Sequence, residues 1–240
     1  MIVRRVAPDL STPGAVGAAV VTSVYASAHL VGLVAQAVGF GRASVLVCAL
    51  GLAVATVLFA RIRHRWLAPF EAPSVAGIKA AWRADRPAWL IAGATSLIVL
   101  VVLLGNGWAL GPDGWISGGW NWSDLLVHVA IGSSIAAGNF PPEVPYFAGE
   151  PLTYHWFADF HGAIAATAAQ MDLIPTYFLS SALMAGVLAL VVWALACRLT
   201  RERRVATIAT ILVVAGGGLG WIRLIGDGDQ ATLLIHALRT

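Results

Sequence analysis

The chain has 240 residues, 59% of them hydrophobic and 11% charged, with a mean hydropathy of +0.80. A soluble domain carries about a quarter charged residues, so this composition excludes one and points to an integral membrane protein. The formal charge of +3 does not make a nucleic-acid surface, because the cations cluster at the ends of apolar runs, where the positive-inside rule puts them.

The first apolar run extends from about Pro13 to Val38, behind Arg4 and Arg5. Its front half imitates a secretory signal, down to the small residues Ala26-Ser27-Ala28, but it continues long enough to cross ~30 Å of hydrocarbon and reads as an uncleaved span. A tight turn at Gly39–Arg42 leads to a second span, Ala43–Ala60. The connector that follows carries Arg61, Arg63, Arg65, Lys79, Arg83 and Arg86, which place it in the cytoplasm. Trp66 and Trp82 suit the interface, and the connector is read first as a topology anchor, ahead of a lipid-binding segment. Residues 1–86 thus form one unit, two spans with their basic connector.

Residues 87–240 form the second unit. A third span, Pro87–Gly105, leads outward, and no Lys or Arg occurs from Pro87 to Cys197. Asn106 to about Pro175 is too polar and too rich in Gly, Pro and Trp to span, and is predicted to be an external loop. A fourth span, Thr176–Cys197, ends on the cluster Arg198, Arg201, Arg203, Arg204, and a fifth runs from Val205 to about Leu224. The chain then passes Asp227 and Asp229 and stops at Thr240 in a segment that reads as unfinished. The predicted fold is therefore all-α and polytopic, with about five spans and two membrane-surface helices in a long external loop. The amino terminus is expected in the cytoplasm of a multi-pass cell-membrane protein. The two cysteines, Cys48 and Cys197, lie in apolar runs and read as packing residues.

The chemistry concentrates between Asn121 and Gly162, which holds four of the twelve acidic residues and three of the six histidines. Ser123 suits the N-cap of a helix ending near Ala137, on which Asp124 and His128 are four apart and share a face. Such a pair can share a proton, hold a metal or act in general-base work. A second helix is predicted from Leu152 to Met171, with His155 and Asp159 again four apart and His161 pointing away in a structural role. Glu143 and Glu150 occupy the Pro-rich connector, and Trp108, Trp115, Trp120 and Trp122 suit the membrane–water boundary. All of Asp124, His128, His155 and Asp159 are expected in one outward-facing hollow.

The runs SDLLVH, GNFPPE and GEPLTYHWFADFHGA, followed by a span ending in an arginine cluster, resemble the first modules of GT-C membrane glycosyltransferases. That superfamily includes protein O-mannosyltransferases and oligosaccharyltransferase catalytic subunits. The resemblance implies transfer of a sugar from a polyprenyl-phosphate donor at the outer face of the membrane. By position it assigns Asp124 as the acidic residue of the early loop, a base or metal-adjacent ligand, with His128 as companion, and Tyr154, His155, Asp159, Glu143 and Trp122 to substrate binding. It also implies a divalent ion, Mg or Mn, held by Asp124, His128, Asp227 and Asp229. Expected partners are membrane lipid, the polyprenyl-linked sugar and a partner membrane subunit. The rival reading is a non-catalytic component, a transporter fragment or partner subunit, using the loop as a docking surface. A metallohydrolase is less favoured, since no His-Glu-x-x-His spacing occurs. His29 alone among the polar groups approaches mid-span depth, and packing is its expected role.

Overall fold

Among the described residues, four helices are long and apolar enough to cross a membrane: α2 (Thr12–Val38), α3 (Arg42–Arg61), α5 (Arg86–Asn106) and α8 (Leu173–Thr200). They belong to a computed structural model that describes residues 2–62, 74–106, 108–112, 114–117, 122–147 and 149–216. The remaining helices are α1 (Ile2–Val6), α4 (Val75–Ala84), α6 (Trp122–Ala136), α7 (Phe157–Ala169) and α9 (Arg203–Ala215). The predicted spans thus fall within a few residues of the observed ones. Of the fifth, Val205–Leu224, the part up to Ala215 is helical and the residues beyond Gly216 lie outside those described.

Local chemistry sets the helix starts. Ser11 caps α2 by accepting from the Gly14 amide at 3.3 Å, with Pro13 preorganising the first turn. Ser44 accepts from the Gly41 amide at 3.0 Å at the start of α3. Between α5 and α6 the chain forms a hairpin that the sequence reading missed, β1 (Trp108–Gly111) paired antiparallel with β2 (Gly114–Ser117), with Trp108 opposite Ser117.

The helices pack through small residues, which let backbones approach closely when lipid supplies no hydrophobic force between helices. A Cβ on Gly14 would stand 2.7 Å from the Ala194 Cβ, and one on Gly17 2.8 Å from Val191 Cγ2, so α2 lies tightly along the later half of α8. Gly186 of α8 meets Ser96 and the Ala92 carbonyl of α5 in the same way. One core joins Ala28, Val31 and Ala35 of α2 with Val45 and Cys48 of α3, Ile131 and Ile135 of α6, and Phe160 and Ala163 of α7. A second core joins Ala88 and Ala92 of α5 with Ala189, Leu190 and Trp193 of α8 and Ala206 of α9.

These contacts sort the charges. Arg5 donates to the carbonyls of Phe59 and Ile62, so the amino terminus meets the end of α3. Arg203, following α8, lies 3.2 Å from Asp85, which precedes α5. The basic clusters flanking the spans therefore gather at one end of the bundle, and α6 and α7 lie toward the other.

Candidate functional site at the α2–α6–α7–α8 junction

Helices α6 and α7 are too short to span: fifteen residues in α6 give about 22 Å. They bring together two residues that are 31 apart in sequence. His128 of α6 donates from Nδ1 to Asp159 of α7, at 2.9 Å from Oδ1 and 3.1 Å from Oδ2. Asp159 is 1% exposed, a charge-bearing group that requires such a partner at that depth. Burial pushes its carboxyl above the ordinary carboxylate value, against the pull of the hydrogen bond and charge of His128, the Tyr177 hydrogen bond and the charge of His155.

Tyr177, on the first turns of α8, completes the constellation. Its hydroxyl reaches Asp159 Oδ1 at 3.3 Å and the His128 carbonyl at 3.2 Å, within donating distance of each. The ring is gripped from both sides, since a Cβ on Gly132 of α6 or on Gly162 of α7 would collide with it. The sequence reading did not single out Tyr177, Gly132 or Gly162. The signal available was an isolated glycine inside each of two helical patterns, which marks a close approach.

His128, Asp159 and Tyr177 line a cavity of about 450 Å³ between α2, α6, α7 and α8. Val24, Leu125, Phe157 and Met184 supply apolar wall, and Ser180 and Ser181 add hydroxyls. His161 lines the same cavity, correcting its predicted position on the far side of α7; burial holds its imidazole below the ordinary value.

The other predicted site residues fall around this centre rather than in it. Asp124 is exposed on α6 and is not part of the cavity wall, so the four-residue hollow reduces to His128 and Asp159. The second loop helix begins at Phe157 instead of Leu152, so His155 precedes it and the expected i, i+4 relation with Asp159 does not exist. The reason lies upstream. Val144 N–H bonds the Glu150 carbonyl and Leu152 N–H the Pro142 carbonyl, closing a loop that keeps the chain extended through Leu152. Glu143 serves that loop, accepting from the Gly149 amide at 2.9 Å, and Glu150 is exposed. Tyr154 stacks on His155 with centroids 3.9 Å apart, and their rings stand 5.8 and 6.3 Å from that of His128. His29 is exposed rather than packed in a core, its Nδ1 bonded to the Tyr25 carbonyl and its ring 5.6 Å from that of Phe157. Asp227 and Asp229, and the side chains of Trp108, Trp115, Trp120, Trp122 and Ser123, lie outside the described residues.

Among the described residues no three His, Cys, Asp or Glu side chains converge as a metal-binding group.

In this frame the constellation has one clear capacity. With Nδ1–H committed to a buried carboxylate, His128 presents Nε2 as its proton-accepting nitrogen, and Asp159 stabilises the imidazolium that results.

Comparison with known proteins agrees on the class. No curated protein and no solved structure matches the chain. Residues 124–237, which begin on α6 and include His128, Asp159 and Tyr177, are similar to the family described as uncharacterized membrane protein (DUF2298), and with the four long apolar helices this makes the chain an integral membrane protein.

Proposed function

We propose that this protein is a GT-C-like transferase that moves a sugar from a polyprenyl-phosphate donor to an acceptor hydroxyl at the outer face of the cell membrane. The observation that carries the reading is the His128–Asp159 pair, a base with its orienting carboxylate on the wall of a cavity of about 450 Å³. The basic clusters at the opposite end of the bundle favour a cytoplasmic position for that end, which leaves the cavity external.

In the reaction, His128 Nε2 takes the proton of the acceptor hydroxyl as its oxygen bonds to the anomeric carbon. The bond from that carbon to the phosphate oxygen breaks, and the polyprenyl phosphate leaves with the electron pair. Asp159 holds the imidazole in the required tautomer and offsets its positive charge, and the proton then passes to the departing phosphate or to water. Tyr177 fixes the carboxylate. Tyr154 and His155 flank His128, where a sugar ring can stack.

The test is transfer from polyprenyl-linked sugars by purified protein in vesicles. Replacing His128 by Ala removes the base and is expected to lower transfer by about 10²–10⁴-fold. Full transfer by His128→Ala sinks this assignment.

A further inference from the structure

Helix α4 presents an apolar stripe that the described residues leave largely exposed, with only Trp82 meeting a neighbouring ring. Val75, Ile78 and Trp82 recur at helical spacing along one side and are 69%, 57% and 48% exposed. Lys79 and Arg83, four apart, flank the stripe, while Ala80 and Ala84 lie on the far side. No residue of α4 is buried. Ten residues capped by Ser74 are fewer than the ~12–15 that hold a helix in water, so a surface must take up this stripe.

The chain itself places that surface. Only Asp85 separates α4 from Arg86, the first residue of the spanning helix α5. Trp82 stacks on Trp89 of α5 with centroids 5.8 Å apart and planes 18° from parallel, which ties α4 to the membrane entry of that span. The same end of the bundle carries Arg86, Arg198, Arg201, Arg203 and Arg204. A basic flank beside an apolar stripe matches a surface that is negative outside and greasy beneath.

We propose that α4 lies in the plane of the bilayer and docks on anionic headgroups of the same membrane the protein spans. Val75, Ile78 and Trp82 enter the acyl boundary, and Lys79 and Arg83 extend their stems along it to meet lipid phosphates.

The test places one fluorophore at Ile78→Cys or at Ala80→Cys in the full chain, after Cys48→Ala and Cys197→Ala. Each protein goes into phosphatidylcholine vesicles with and without phosphatidylglycerol. The label at position 78 is expected to be quenched by brominated lipid, and the label at 80 by aqueous iodide. Quenching at 78 should rise with phosphatidylglycerol and fall with salt. Lys79→Gln with Arg83→Gln should lower the docked-to-free ratio about thirtyfold, at about fivefold per cation. Equal quenching at both positions, or a water-exposed label at 78 in all vesicles, overturns the docking. Lipid burial at 78 that ignores phosphatidylglycerol, salt and the two glutamines overturns the anionic partner.

Discussion

Replacing Gly162 by Ala tests the geometry that holds the cavity together. The new methyl would collide with Tyr177 Cε1 and stand 2.8 Å from Cδ1 and 3.1 Å from Cζ, all atoms of one rigid ring. The ring cannot swing aside without giving up its hydroxyl contacts to Asp159 and to the His128 carbonyl. Overpacking of this kind costs about 1–3 kcal/mol, and each lost hydrogen bond about 1 kcal/mol. The gain of alanine over glycine inside a helix returns about 1 kcal/mol. The expected net loss is about 2–4 kcal/mol, read from SDS titration of the folded protein in mixed micelles. Adding Tyr177→Ala to Gly162→Ala removes the collision, so the double variant should be more stable than the sum of the single losses predicts. A Gly162→Ala protein within about 0.5 kcal/mol of wild type, the scale of an ordinary surface change, or strict additivity in the double variant, would refute the close seating of Tyr177.

Three further outcomes are expected. Asp159→Asn removes the charge that balances a protonated His128 and should lower sugar transfer at least a hundredfold, within the span of general-base effects, while Asp124→Asn, on an exposed position outside the cavity wall, should change it far less; the ratio of the two rates decides between them. The His161 imidazole is held below its ordinary value of about 6.5, so its contribution to stability is present above that pH and lost as pH falls through the folded value; thermal unfolding of His161→Phe should show a shallower acid limb than wild type. Asp85 is 5% exposed and burial raises its carboxyl above the ordinary value, opposed by Arg203. A raised carboxyl stabilises the fold at low pH and loses that contribution as pH rises, so Arg203→Gln should unfold earlier than wild type at neutral pH, with the gap narrowing on acidification. Equal gaps at both pH values would exclude the pairing.

The spans were legible because crossing a bilayer demands about twenty consecutive apolar residues, and the runs at Pro13–Val38, Ala43–Ala60, Pro87–Gly105 and Thr176–Cys197 meet that demand locally. The site was only half legible. His128 and Asp159 were each singled out, but each was assigned a partner four residues away on its own helix. The observed partner lies on another helix, and no periodicity within one element reports which helices will meet. Tyr177 was hidden differently, as one polar atom inside a run whose apolarity already had an explanation. The hairpin did leave a trace in Gly111-Pro112-Asp113-Gly114, a turn sequence flanked by short strand-forming runs, which a wholesale reading of the region as loop passed over. Helix α4 left a trace too, in Ser74 and the spacing of Val75, Ile78 and Trp82, which a reading of the connector as a basic anchor passes over.

Val24 of α2 forms part of the cavity wall, although it stands a hundred residues before the segment similar to the membrane family. Phe160 and Ile131 likewise depend on Val31 and Ala35 for cover. During synthesis α2 therefore enters the bilayer long before the helices it must roof exist, and it waits there with Gly14 and Gly17 unfilled until α8 arrives. Chains begun at Ser74 would keep α5 against α8 yet lack one side of the hollow, and supplying residues 1–62 as a separate polypeptide should restore it.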